Sequence, residues 1–218
     1  MVIFITGIGT DIGKSWATGW LATEFLREGK SVITQKFIQT GNHDMSEDII
    51  LHRRIMGMPL QNPDRLRITC PVILSYPASP HYAARLDGTR IDTGIIADAT
   101  KALSRQYDVV LVEGAGGIMV PVTEDYLTID YIAEQHLPVV LVTNGRLGSI
   151  SDTLLALEAI ARRNIELYAV VYNPHFDADP ELAAESREYM RRRVESHFPD
   201  ARWLDMPEHI DILPEDSL

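Results

Sequence analysis

Five short runs of β-branched and aliphatic residues punctuate the chain: Val2–Thr6, Ser31–Gln35, Val109–Glu113, Val139–Thr143 and Leu167–Tyr172. Their apolar character is nearly continuous, the pattern of strands buried on both faces. Segments with four-residue apolar spacing lie between them. Ser15–Arg27 places Ala17, Leu21 and Phe25 on one face with Trp16 and Trp20 beside them, and Gly29 follows as a stop. Ser46–Met56, Ile95–Gln106, Ser151–Arg163 and Pro180–His197 read as further helices. Ser151 or Asp152 is placed to cap the helix at 151–163, and Pro180 suits a first helical turn. Strands alternating with helices predict an α/β protein, a mostly parallel sheet flanked by helices on both faces.

Pro59–Pro80 breaks the pattern, with five of the twelve prolines in 22 residues, so it is not one regular element. It still carries Leu66, Ile68, Val72, Ile73, Leu74 and Tyr76, which a flexible linker would not. It reads as an ordered, irregular excursion within a single domain spanning 1–218, a length sufficient for a sizeable core.

Composition narrows the partners. Thirty-one acidic residues against 20 basic ones give a net charge of −11, which argues against a broad nucleic-acid surface. No run reaches the ~18 apolar residues of a membrane-spanning helix. The start of the chain has no basic leader, so a cytoplasmic protein is expected. Cys70 is the single cysteine and excludes a disulfide framework. The seven histidines form no pair at zinc-ligand spacing. Arg191-Arg192-Arg193 shares a helix with Glu185, Glu188 and Glu195 and reads as a solvated, salt-bridged face.

Residues 7–15 read Gly-Ile-Gly-Thr-Asp-Ile-Gly-Lys-Ser between a predicted strand and a predicted helix. That frame suits a phosphate loop. Glycines let backbone N–H groups turn inward, the helix N-terminus attracts anions, Lys14 reaches the terminal phosphates and Ser15 offers a hydroxyl to Mg²⁺. A strict loop pattern has glycine at position 8, where Ile8 stands.

Val109–Glu113 ends in a carboxylate followed by Gly114-Ala115-Gly116-Gly117. Ligands of open α/β sheets bind beyond the carboxyl ends of the strands, so Glu113 faces the same crevice as the loop. Mg²⁺ takes one or two carboxylates, and Glu113 with Ser15 fits that need. Lys36 ends the second strand, either as a second cation near the γ-phosphate or as a solvated strand end. Asp48 opens the next helix, where its position suits a capping-region acid and leaves a further metal ligand open.

Together these residues make the chain resemble the dethiobiotin synthetase family, P-loop proteins that close the ureido ring in biotin synthesis with ATP. The family's loop, Gly-Thr-Asp-Thr-x-Val-Gly-Lys-Thr, has the same displaced first glycine. Its Val-Glu-Gly-Ala-Gly-Gly string stands unaltered at 112–117. Lys-Pro-x-x-[ST]-Gly matches Lys36-Phe37-Ile38-Gln39-Thr40-Gly41, and Ser-Pro-His matches Ser79-Pro80-His81. The set in this order is specific and spans nearly the whole chain.

The resemblance implies a P-loop NTPase fold and roles for named residues. Asp11, Ile12, Gly13, Lys14, Ser15 and Trp16 would cradle the ATP phosphates, with Gly114, Ala115 and Gly116 alongside. Ser15, Asp48 and Glu113 would ligate Mg²⁺, and Lys36 with Lys14 would be catalytic. Adenine would lie near Asn173, Pro174 and Pro207, Glu208 and His209. Thr40, Ser79, Pro80 and Gly117 would meet the diamino carboxylic acid that is carboxylated with CO₂. A homodimer is implied, with Leu147, Gly148, Ser149 and Ile150 of a neighbouring subunit holding the substrate carboxylate. Three positions depart from the family. Phe37 replaces the proline after the lysine, Pro174 replaces a frequent Asp, and Ile8-Gly9 replace Thr-Asp. The rival reading is a partitioning- or regulator-type P-loop ATPase switch. Such proteins typically carry a further lysine early in the loop, and residues 7–13 contain none.

Overall fold

The computed structural model describes residues 1–214. Along them run β1 (Val2–Gly7), α1 (Lys14–Arg27), β2 (Val32–Lys36), β3 (Gln39–Thr40), α2 (Glu47–Ile55), α3 (Asn62–Arg65), β4 (Ile73–Leu74), α4 (Pro80–Leu86) and α5 (Thr93–Ser104). The second half holds β5 (Val109–Glu113), β6 (Pro121–Thr123), β7 (Tyr126–Leu127), α6 (Thr128–Glu134), β8 (Val139–Asn144), α7 (Ser149–Arg162), β9 (Leu167–Asn173), α8 (Pro180–His197) and β10 (Arg202–Asp205).

Six strands form one parallel sheet in the order β10-β9-β8-β1-β5-β2. Side chains of a strand alternate between faces, and the two cores divide accordingly. Ile3 and Ile5 of β1 pack with Leu111, Val142 and the α1 residues Ala17, Leu21 and Phe25. Phe4 points the other way and joins Val110, Val112, Leu141, Ile96, Ile132 and Leu157, on the face covered by α5, α6 and α7. The five apolar runs are therefore strands buried on both sides, as their composition predicted.

The excursion is ordered. It holds α3 and β4, and β4 pairs in parallel with β3 next to the crevice. Cys70 is buried within it, and burial pushes its thiol up to about 12. Arg191 pairs with Glu195 at 2.8 Å and Arg192 with Glu188 at 3.7 Å on the outer face of α8.

Two helix starts differ from the spacing. α7 begins at Ser149, and neither Ser151 nor Asp152 caps it. Its N-cap is Gly148 at φ 100°, and that left-handed turn leads the chain straight into the helix without a side-chain cap. α5 begins at Thr93, because Asp92 accepts a 2.8 Å bond from the Gly94 N–H and caps the helix two residues earlier than expected.

Candidate functional site

β1 ends where the loop 8–13 begins, and Lys14 opens α1. Gly13 sits at φ 89°, and a Cβ there would stand 2.2 Å from Asn173 Nδ2, so this turn requires glycine. Asn173, at the end of β9, donates to the Ile12 carbonyl at 3.0 Å and accepts from the His175 N–H at 3.1 Å. Lys14 Nζ donates to the Gly9 carbonyl at 2.7 Å, folding over the loop. Burial lowers its ammonium to about 8, against the opposing pull of Glu113.

Parallel register sets the centre. Lys36 and Glu113 are direct partners across β2 and β5, so their side chains emerge side by side. Lys36 Nζ lies 2.8 Å from Glu113 Oε1 and 2.6 Å from Asp48 Oδ2, and donates to the Gly114 carbonyl at 3.2 Å. Burial alone would lower the Lys36 ammonium, but Glu113 and Asp48 outweigh it and hold it well above its ordinary value. Burial would likewise raise the Glu113 carboxyl, and Lys36 with His52 instead holds it far below the usual range. Ser15 Oγ stands 2.7 Å from Asp48 Oδ1 and 2.9 Å from Glu113 Oε1.

Asp48 is not the cap of α2. Ser46 is, accepting from the Ile49 N–H at 3.2 Å, which leaves the Asp48 carboxylate to turn toward Lys36. Phe37 is fully buried, 4.6 Å from the Tyr131 ring centroid and 5.5 Å from that of Phe4. Its N–H donates to the Glu113 carbonyl at 2.8 Å, a bond that proline could not make. This bond closes the β2–β5 ladder at the Lys36–Glu113 pair.

Lys14, Ser15, Lys36, Asp48 and Glu113 line a cavity of about 1000 Å³. Of the residues singled out from sequence, Asp11, Gly13, Lys14, Ser15, Trp16, Lys36, Thr40, Asp48, Glu113, Ala115, Gly116, Asn173, Pro207, Glu208 and His209 line it. Ile12, Gly114, Pro174 and Gly117 do not: Ile12 is buried in the α1-side core, and Gly117 packs against Gly9. Ser79, Pro80 and Leu147–Ile150 also lie outside the cavity lining. Leu147 is 90% exposed, on a loop at the carboxyl end of β8. Sequence reasoning missed Thr10, His175, Phe176 and Met206 in the lining. The segment after β10 that forms the far wall is tied to α2 by Leu213 N–H to the Arg54 carbonyl (3.0 Å) and Arg54 Nε to the Leu213 carbonyl (2.8 Å).

The largest omission is His52. It lies four residues after Asp48 on α2, fully buried, with Nε2 2.6 Å from Glu113 Oε2. That i, i+4 spacing was available in sequence as the one signal that the two side chains share a helix face.

The donor set fits a hard divalent cation. A hydroxyl and two carboxylates converge, and the Lys36 ammonium already sits between the two acids. Three side chains do not fill an octahedral shell, and phosphate and water oxygens would complete it.

A glycine turn into a helix N-terminus, at the carboxyl ends of parallel strands carrying lysine and carboxylate, defines a P-loop nucleotide-binding protein. Comparison with known proteins agrees: a family described as "AAA domain" matches residues 1–207. Solved structures of low identity share the fold. They include the Aquifex aeolicus MinC:MinD complex (17% identity, TM-score 0.56, covering 95% of this chain and 81% of that one). Another is pNOB8 ParA (16%, 0.54, 96% and 86%). The ATP-dependent dethiobiotin synthetase BioD 2 of Pasteurella multocida is 45% identical over 199 residues, 91% of this chain and 93% of that protein. BioD of Chlorobaculum tepidum is 46% identical over 206 residues, 94% and 86%. The chain belongs to the dethiobiotin synthetase family.

Proposed function

We propose that the protein is an ATP-dependent dethiobiotin synthetase, a ligase of biotin biosynthesis that carboxylates and cyclises 7,8-diaminononanoate. The observation that carries this reading is the meeting of Lys14, Ser15, Lys36, Asp48 and Glu113 at one end of the sheet in a chain of this family. One amine of the diamine takes up CO₂ and loses a proton to give a carbamate. A carbamate oxygen attacks the γ-phosphorus of ATP, ADP departs, and a carbamic–phosphoric anhydride results. The second amine attacks the anhydride carbonyl, and phosphate leaves as the ring closes.

The obstacle is repulsion between two anions, so the work of this chain is positioning and charge. Lys14 and the loop N–H groups bind the phosphates, and Lys36 stands where phosphoryl oxygen and carbamate would meet. Ser15, Asp48 and Glu113 would hold Mg²⁺, which supplies charge neutralisation on the phosphates. The wall formed by Asn173 and Pro207–His209 would receive the base, and Thr40 would face the diamine. Leu147–Ile150, outside the lining of their own cavity and leading into a helix N-terminus, would serve the substrate carboxylate of a second subunit in a homodimer. No helix among the described residues is long and apolar enough to cross a membrane.

The test is phosphate release from MgATP with and without diamine and bicarbonate. Strict dependence on both is expected. Release stimulated instead by DNA or a protein partner would favour a partitioning-type ATPase switch.

A further inference from the structure

Behind the crevice runs a buried polar chain that the mechanism does not use. Arg53 is fully buried and forks onto Asp64, with Nε and Nη2 each 2.8 Å from a carboxylate oxygen. Asp64 also accepts from the Thr69 hydroxyl and the Gln61 N–H, both at 2.7 Å. Arg53 Nη1 donates to Thr34 Oγ1 at 2.7 Å. Thr34 Oγ1 lies 3.0 Å from His52 Nδ1, and His52 Nε2 lies 2.6 Å from Glu113 Oε2.

The donors assign a direction. Arg53 has only protons to give, so Thr34 Oγ1 accepts from it, and the same hydroxyl pairs with His52 Nδ1. Glu113 is a carboxylate and only accepts, so His52 Nε2 carries a proton and donates it to Oε2. Every member is satisfied, and the anchor at Asp64 lies on α3, in the Pro-rich excursion. The consequence falls on Glu113. Its Oε2 is occupied from behind, so Oε1 alone faces Ser15 and Lys36.

We propose that His52 is a positioning residue: it holds one oxygen of Glu113 so that the other is presented, singly and in fixed orientation, to a divalent cation. This rests on the reading of Glu113 as a metal ligand. Partners that orient metal-binding carboxylates are worth ~10- to 100-fold in metal affinity. The same excursion that looked irregular in sequence would thereby brace the metal site through Asp64, Arg53 and Thr34.

Two substitutions separate orientation from mere polar filling. His52→Gln is long enough to keep an N–H near the Nε2 position, whereas His52→Asn reaches only as far as Nδ1. Mn²⁺ binding is followed by electron paramagnetic resonance in the full chain with a non-hydrolysable ATP analogue, beside KM and kcat and the far-ultraviolet circular dichroism. Expected is Mn²⁺ affinity lowered ~10- to 100-fold in His52→Asn and within about threefold of wild type in His52→Gln. Equal affinities in the two variants, or wild-type affinity in His52→Asn, would overturn the proposal. Should His52→Asn not fold, Thr34→Val removes the partner of Nδ1 with little change of shape; weakened Mn²⁺ binding supports the role and unchanged binding overturns it. Glu113→Gln is the control. Unchanged affinity there overturns the ligand reading itself, while weakening there without weakening in His52→Asn overturns only the positioning role.

Discussion

Replacing Lys36 by glutamine has two separable consequences, one for stability and one for turnover. Nζ is the counter-ion shared by Asp48 at 2.6 Å and Glu113 at 2.8 Å, and the Lys36 and Glu113 side chains are 6% and 1% exposed. Removing one partner of a buried ion pair costs about 3–5 kcal/mol. Asp48 is 24% exposed, so water recovers part of this and the lower end, about 3 kcal/mol, applies. For a chain of this size each kcal/mol moves Tm by about 2–4 °C, giving a fall of roughly 6–12 °C in EDTA. Mg²⁺ at a hundred times its dissociation constant would return about 2.7 kcal/mol, close to the whole deficit. In the wild type the cation must displace an ammonium from the same oxygens, so its effect on Tm is smaller. Thermal unfolding of both proteins with EDTA and with MgCl₂ reads this difference directly. An equal Mg²⁺ shift in both would refute the shared counter-ion. In the same variant kcat falls by about 10²–10³ while ATP affinity changes little, and near-wild-type turnover would remove Lys36 from the reaction.

Three further outcomes are expected. Gly13→Ala forces a side chain into the left-handed region and against Asn173, costing about 2–3 kcal/mol and raising KM for ATP; unchanged Tm and KM would contradict the turn's role. Asp64→Ala strands the buried Arg53 guanidinium and lowers stability by about 3–5 kcal/mol in denaturant titrations. Burial raises the Asp64 carboxyl, yet bonds from Arg53 and Thr69 prevail and hold it below its ordinary value. Its stabilisation is therefore present above about pH 3.8 and lost as pH falls through the lower folded value, and the variant loses that part of the acid transition. Leu147→Asp places a charge on the most exposed large apolar side chain among the described residues; if the proposed dimer forms there, sedimentation will show fewer dimers and kinetics a higher KM for diamine with KM for ATP unchanged.

The central strands were legible because burial on both faces leaves a continuous apolar run, and each expected strand lies within one or two residues of its place. β10 was not. Arg202-Trp203-Leu204-Asp205 is an edge strand with exposed ends, and its pairing with β9 supplies what its composition lacks. α4 and α6 span seven residues each, too short for helical periodicity, and are held by packing, Ala83 and Ala84 of the one and Ile129, Tyr131 and Ile132 of the other joining the same core as Phe4. The start of α7 misled because a glycine in the left-handed region performs the turn that a Ser or Asp cap ordinarily performs.

At the site, whatever sits at a strand end or in the loop could be read, since topology alone sends it to the crevice. Contact between elements was not legible there: register setting Lys36 beside Glu113, Ser46 freeing Asp48, and the path from Asp64 to His52. Charge shows the same division. The net charge of −11 is distributed over the whole molecule, whereas at the centre two lysines face two carboxylates and formally cancel. Such a centre has little attraction for a polyanion at long range. With a divalent cation on the carboxylates it would carry two positive charges, and Lys36 would be released from its ion pairs toward the phosphates. On the proposed reading the two carboxylates would therefore serve binding twice over: they hold the lysine in place beforehand, and they would exchange it for a metal when nucleotide arrives.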